Sequence, residues 1–325
     1  MKLGILGNGM IVKDLMKTIH KLNFEKIHVL GREASREKVE QLVREHQLTG
    51  SYYDYETMLQ SDVDVIYVAL PNHLHYDFAG KALKHKKHVI LEKPAASSGE
   101  EMRELAELAG NQKRMLFEAM NIHYLPAFQA LKEDLAKLGE IKMVSLNYSQ
   151  YSSRYDAFKQ GTVLPAFDPR MSGGALMDIN VYNVHAVMGL FGVPKRARYY
   201  ANVERGIDTS GMMFYDYGTF KAVSIGAKDC RAPIVSTIQG NQAALVIEKP
   251  VNHMTEYRIL YNDGHEELRS FDQTEHRMYY EFAAFIRMIE EEDFETCQKM
   301  LELSCEAAEL MTRTRREEGI IFAAD

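Results

Sequence analysis

Up to about residue 122 the chain alternates short, mainly apolar runs with longer polar stretches. The runs are Leu3-Gly4-Ile5-Leu6, Ile27-His28-Val29-Leu30, Val63-Asp64-Val65-Ile66-Tyr67-Val68-Ala69, Val89-Ile90-Leu91 and Met115-Leu116-Phe117. Between them, residues 35–47, 75–87 and 98–112 carry apolar positions three and four apart, the period of a helix lying on a core. A strand that is apolar along most of its length is buried on both faces, and the intervening helices supply the cover. The pattern predicts an α/β unit, a doubly wound parallel sheet of Rossmann type.

From about residue 140 the rhythm changes. Segments 141–151, 196–204, 211–226, 232–239, 242–248 and 255–260 are strand-like, with turn signals at Gly240-Asn241 and Asn262-Asp263-Gly264. A helical insert at 173–191 interrupts them, and two helices over 275–316 follow. Consecutive strands joined by short turns predict a mostly antiparallel sheet in an α+β domain. The expected division is a first domain over 1–122 and a second over 123–325. A chain of 325 residues is long enough for two such cores.

The formal net charge of −7 argues against a nucleic-acid partner, which asks for a basic face. Cys230, Cys297 and Cys305 form neither a disulfide framework nor a metal motif. No cleavable leader and no uninterrupted apolar stretch of about 18 residues is present, so no membrane partner and a cytoplasmic protein are expected.

The first strand runs into Gly7-Asn8-Gly9-Met10-Ile11-Val12. Gly7 permits a tight turn, and Gly9 lets the backbone approach a pyrophosphate at the start of the helix near Met10 and Ile11. Val12 stands where a third glycine would complete the pattern, so a plain strand-to-helix turn is the competing reading. After the second strand come Gly31-Arg32-Glu33. An acid here binds the ribose 2′-hydroxyl of NAD, whereas an arginine accommodates the 2′-phosphate of NADP. Arg32, with Arg36 to assist, predicts NADP, and Glu33 keeps NAD possible. The fourth strand ends at Leu70-Pro71-Asn72, at the carboxyl edge where such sheets bind ligands, with Asn72 and His75 expected in the same crevice. His73 and His75 lack a third ligand at suitable spacing, so no metal site is expected. The fifth strand ends in Glu92-Lys93-Pro94, an adjacent acid and base stopped by a proline. Read alone, this is either a solvated strand end or the mouth of a site that needs an amine.

Residues 70–94, LPNHLHYDFAGKALKHKKHVILEKP, resemble almost position by position the signature of the Gfo/Idh/MocA oxidoreductases, with Lys86 in place of a glycine. Residues 172–185, SGGALMDINVYNVH, resemble the family's glycine-rich turn and its D-x-x-x-[HY] helix, and EAMNIHYLP at 118–126 resembles its interdomain linker. The matches run in order through both halves of the chain. The resemblance implies a hydride transfer between a nicotinamide cofactor and a sugar, polyol or similar small carbonyl or alcohol. It places Lys93 beside the reacting oxygen, with Pro94 fixing the turn, often through a cis bond, and Glu92 holding the local geometry. Asp178 and Tyr182 are four apart and share a helix face. Tyrosine at that position is the choice of the branch resembling dimeric dihydrodiol dehydrogenase and glucose–fructose oxidoreductase, and it implies a Lys93–Tyr182 proton-transfer pair with Asp178 orienting substrate or amine. A packing aromatic is the alternative for Tyr182, and His185 is expected to be structural. Asn180 replaces a small residue and is expected to reshape the pocket floor, while Asn121 and His123 are weaker cofactor candidates. The family's habit of pairing through its second-domain sheet implies a homodimer. Competing functions are a non-catalytic dinucleotide-binding regulator and an NAD-dependent glycosidase of the same family.

Overall fold

The computed structural model describes residues 1–325 and contains two compact units, Met1–Ala119 with Met278–Cys305, and Met120–Arg277 with Glu306–Asp325.

The first unit holds six parallel strands, β1 (Lys2–Leu6), β2 (Lys26–Leu30), β3 (Gly50–Tyr52), β4 (Val65–Val68), β5 (His88–Glu92) and β6 (Leu116–Ala119), in the order β3-β2-β1-β4-β5-β6. The helices are α1 (Met10–Met16), α2 (Arg36–Glu45), α3 (Tyr55–Gln60), α4 (His75–Lys84) and α5 (Gly99–Gln112). Both faces of β4 are buried, as its unbroken apolar sequence requires. Local chemistry sets several helix starts. Asp54 accepts a hydrogen bond from the Thr57 N–H at 2.8 Å, and Ser98 accepts one from the Glu101 N–H at 3.2 Å. The expected doubly wound sheet is present. The three-residue β3, which no apolar run announces, completes its edge.

The second unit carries eight strands: β7 (Ile141–Ser149), β8 (Arg196–Glu204), β9 (Ile207–Asp216), β10 (Lys221–Ala227), β11 (Ser236–Gly240), β12 (Ala243–Ile247), β13 (Glu256–Tyr261) and β14 (Glu266–Ser270). Their order is β14-β13-β12-β11-β7-β10-β9-β8, antiparallel except for the central pair β7 and β10. The helices are α6 (Pro126–Asp134), α7 (Ser153–Lys159) and α8 (Val181–Phe191), the last entered through a π-turn at Leu176–Asn180. One sheet face is core, with Leu146, Tyr199, Met213 and Ile238 fully buried. The stretch 211–226, expected as one strand, is two. Gly218 takes φ +87° in the turn between β9 and β10, which pair antiparallel on either side of it. Strand β14 also escaped the sequence reading, because EELRS is a polar edge strand.

Two helices follow, α9 (Arg277–Glu290) and α10 (Phe294–Glu317). Residues 278–305 cluster with the first unit and not with the second, where the sequence reading had put them. Phe285 stacks on Phe117 of β6 at 4.6 Å between ring centroids, and Phe282 meets Tyr67 of β4 edge-on at 5.1 Å. Cys297 and Cys305 are buried in this packing.

Candidate active site

The first unit has a cavity of about 350 Å³ at the carboxyl ends of β1, β2 and β4, where the strand order reverses. Gly7, Asn8 and Gly9 line it from the loop before α1, Arg32 from the loop after β2, and Leu70 and Pro71 from the loop after β4. Gly7 has φ +110°, and a Cβ there would lie 2.6 Å from the Ala69 carbonyl oxygen, so both conformation and packing demand glycine. At Gly9 a Cβ would meet nothing within 4 Å. No packing within the protein demands glycine there, and the space beside it opens on the cavity. Met10 and Ile11 open α1 beside this loop, and Val12, at the position of a third glycine, is fully buried.

The loop after β2 separates its charges. Arg36 grips both carboxylate oxygens of Glu33 through Nε at 2.9 Å and Nη2 at 2.6 Å, and its guanidinium lies 3.6 Å over the Tyr53 ring. Both side chains are more than half exposed, so this is a surface ion pair in which each engages the other. Arg32 stays on the cavity wall.

A turn at the end of β5 carries Lys93, and the Lys93–Pro94 bond is cis. Within Leu91–Gly99, Lys93 is the one residue that is not buried. Three side chains brace the turn around it. Tyr67 donates its hydroxyl to Glu92 Oε1 at 2.5 Å, the Ala95 N–H donates to Glu118 Oε1 at 3.0 Å, and His75 Nδ1 lies 2.9 Å from the Pro94 carbonyl oxygen. His75 is fully buried, with Nε2 at 2.8 Å from the Leu70 carbonyl oxygen, so it shapes the crevice from beneath and is not exposed to a cofactor. Glu92 is buried as well, accepting from Tyr67 and weakly from the Lys93 N–H at 3.3 Å. Asn72 opens the short 3₁₀ turn between Pro71 and α4.

In the second unit, Asp178 lies within the π-turn and Tyr182 in the first turn of α8. π-turns inside helices are often found at functional sites. The glycine turn before them is set by packing. A Cβ on Gly173 would lie 2.6 Å from the Pro165 carbonyl oxygen, and one on Gly174, at φ +103°, would lie 2.0 Å from Asp208 Oδ1. Asp208 is fully buried, and Oδ2 accepts from the Leu176 N–H at 2.6 Å and from the Tyr199 hydroxyl at 2.8 Å, anchoring the start of the turn. Burial pushes its carboxyl above the usual range, against the hydrogen bonds and the field of Lys228. Lys228, after β10, donates to Asp178 Oδ2 at 2.6 Å. Tyr182 is nearly buried, its ring 6.2 Å from that of Tyr148, and Tyr148 lines a cavity of about 620 Å³ with Gln150, Arg231 and His253.

Asn180 does not face a pocket. It is fully buried against the sheet, where a Cβ on Gly226 would come within 2.5 Å of the Asn180 Cβ, and its Oδ1 accepts from Asn183 Nδ2 at 3.0 Å. The larger residue on the helix is matched by a glycine on β10. Asn121 and His123 are also turned into the second unit. Asn121 donates to the Asn252 carbonyl at 2.9 Å, and His123 Nε2 is 3.4 Å from His185 Nδ1. The residues missed by sequence reasoning are Lys228, Asp208, Tyr67 and Glu118. Each acts on a partner at least 23 positions away, and no local pattern marks it.

Residues 1–120 match the model of an oxidoreductase family with an NAD-binding Rossmann fold, named GFO_IDH_MocA. The scyllo-inositol 2-dehydrogenase (NADP(+)) IolU of Bacillus subtilis (strain 168) is 34% identical over 100% of this chain and 99% of its own. The D-xylose 1-dehydrogenase (NADP(+)) 2 of Haloferax volcanii is 30% identical over 67% of each. In three dimensions, the 3-ketoreductase KijD10 of Actinomadura kijaniata, solved with TDP-benzene and NADP, superposes with a TM-score of 0.80 at 19% identity, covering 97% of this chain and 96% of its own. A relative similar along its whole length, the matching family model and the shared two-part fold together establish that the chain belongs to the Gfo/Idh/MocA family of oxidoreductases.

Proposed function

We propose that this protein is an NADP(H)-dependent dehydrogenase or reductase acting on a polyol or sugar, with Lys93, Tyr182 and Asp178 as its chemical groups. The observation that carries the cofactor choice is the wall of the first cavity. Arg32 lines it, while Glu33, the one acid in that loop, is held by Arg36. A guanidinium with no competing carboxylate suits a 2′-phosphate. The two relatives named above are NADP(+) enzymes of an inositol and an aldose, which supports the same reading.

Gly7, Asn8, Gly9, Leu70 and Pro71 hold the dinucleotide, and Arg32 reads its ribose phosphate. When bound, the nicotinamide supplies or accepts a hydride. Oxidation of an alcohol also releases a hydroxyl proton, and reduction of a carbonyl takes one up. Tyr182 moves that proton at its hydroxyl oxygen, and the Lys93 ammonium favours the negative charge that builds on the substrate oxygen. The braced turn holds Lys93 in place and lowers the entropy it loses on reaching the substrate. Asp178 accepts a hydrogen bond from a further substrate hydroxyl.

The second unit supports a homodimer. Tyr200, Met212 and Phe214 are each about half exposed (50%, 45% and 46%) on the sheet face opposite the core, and Met143 is exposed on the same face.

The test is a panel of cyclitols, aldoses and diols, scyllo-inositol and D-xylose included, with NADP⁺ and NAD⁺ in turn, read by absorbance of the reduced cofactor. Turnover of at least one polyol or sugar, faster with NADP⁺, is expected. Cofactor binding without turnover of any substrate would favour the regulator, and a cofactor that survives dialysis while a glycoside is cleaved would favour the glycosidase.

A further inference from the structure

Lys228 directly follows β10, and its side chain is 3% exposed although it carries a charge. A buried ammonium is costly unless it is paired and its remaining donors are satisfied. Here it donates to Asp178 Oδ2 at 2.6 Å and to the Ala166 carbonyl oxygen at 2.9 Å, and it lies 4.5 Å from the centre of the Phe167 ring. An ammonium has three donors. With two of them committed and an aromatic face nearby, Lys228 is poorly placed to touch a substrate. Asp178 differs, because its side chain is 35% exposed. The pair therefore has a closed end and an open end, and the open end is a carboxylate.

A lysine placed only to fill space would need no carboxylate that reaches water. Surface ion pairs contribute little, because both partners are mobile and solvated. This pair is different, because one partner is locked and can lock the other. The element it locks is the π-turn, whose entry is already anchored by Asp208 through the Leu176 N–H at 2.6 Å.

We propose that Lys228 is a positioning residue, which holds the Asp178 carboxylate in one rotamer as an acceptor-only group for a substrate hydroxyl. This rests on the reading of Asp178 as a substrate-facing group given above, and it narrows the substrate. The position next to Asp178 takes a hydroxyl donor, as in a polyol or aldose, and rejects a carboxylate or phosphate by like-charge repulsion.

The experiment uses the full chain with Lys228→Met, which keeps the length of the side chain, and Lys228→Gln, which keeps a donor for the Ala166 carbonyl and serves if the first fails to fold. Either variant should lose about 10- to 100-fold in kcat/KM on scyllo-inositol, the range of a charge-assisted hydrogen bond, with NADPH affinity changed less than about twofold. Adding Asp178→Asn should cost little more than Asp178→Asn alone, because residues that act as a unit are not additive. Multiplied losses in the double variant would show that Lys228 acts on something other than Asp178. Crystal structures of parent and variant need no substrate. The Asp178 carboxylate should leave its position when Lys228 is replaced, and an unmoved carboxylate overturns the proposal. A parent that oxidises no polyol or sugar counts against the proposed function, while the crystal comparison still decides this inference.

Discussion

The imidazole of His75 bridges two backbone carbonyls, with Nε2 2.8 Å from Leu70 O and Nδ1 2.9 Å from Pro94 O. It thereby joins the loop that walls the dinucleotide cavity to the turn that presents Lys93. Burial holds the imidazole below its ordinary pKa, against the pull of the two carbonyls. Replacing His75 with alanine opens a cavity and removes the hydrogen-bond donor of one of these carbonyls, since a neutral imidazole carries a single N–H. An unsatisfied buried group costs about 1–3 kcal/mol, so with the cavity His75→Ala should lose roughly 2–4 kcal/mol in urea unfolding and should also lower turnover. A variant as stable as the parent would show that water replaces the ring without cost.

Acid should destabilise the first unit through His88. Its Nδ1 accepts from the Met115 N–H at 3.1 Å, and burial together with Arg114 pushes its pKa down to about 4, against the pull of Asp64. Above about pH 6.5 neither the folded nor the unfolded chain binds a proton there. Between about pH 6.5 and 4 only the unfolded chain does, so stability falls as pH falls, by at most on the order of 3 kcal/mol in total. His75 and His123, both held down mainly by burial, act in the same direction. Unfolding free energies at pH 7, 5.5 and 4.5 should show this decline, and His88→Gln, which keeps an acceptor for Met115, should reduce it.

Arg32→Ala should weaken NADPH binding while leaving NADH binding nearly unchanged. Loss of a charge-assisted contact to the 2′-phosphate costs on the order of 1.5–3 kcal/mol. Glu33→Ala should have little effect, since Glu33 is engaged by Arg36. Equal affinities for the two cofactors in the parent protein would remove the argument from Arg32.

Lys93→Met should keep cofactor affinity and lose turnover by roughly 10²–10⁴-fold, the usual range for a positioned acid or base. Tyr182→Phe keeps the ring in its packed position beside Tyr148 and removes only the hydroxyl, so the fold should hold while turnover falls comparably. If both serve one proton transfer, the double variant will be only slightly slower than either single one. Normal turnover in Tyr182→Phe would make it a packing residue and leave the proton to Lys93 or water.

The exposed face of the eight-stranded sheet should bury itself against a second copy. Tyr200 pairs across strands with Met212, and its ring lies 5.7 Å from Phe214, so the three form one apolar patch. Light scattering over a concentration series should give a dimer for the parent and a monomer for Phe214→Glu. A parent mass that stays monomeric at all concentrations rules this face out as a homodimer interface.

The sequence alone determined what depends on neighbours in the chain. The run of apolar strands and helical spacings announced the doubly wound sheet, because a strand buried on both faces cannot be written in polar residues. The Gly7 turn, the Arg32 loop and the Glu92-Lys93-Pro94 strand end were also legible, since each is a local departure from an otherwise regular pattern. Tertiary structure decided what depends on distant partners. The pairing of Asp178 with Lys228 spans 50 positions, and the bracing of Ala95 by Glu118 spans 23. Asn180, expected at a pocket floor, is turned to the sheet because Gly226 leaves space for it there. Residues 278–305 join the first unit through Phe282 and Phe285 on Tyr67 and Phe117, a packing that helical periodicity does not address to any particular surface. Hydrophobic period tells a segment that it must be covered, whereas shape and charge in the folded core decide by what.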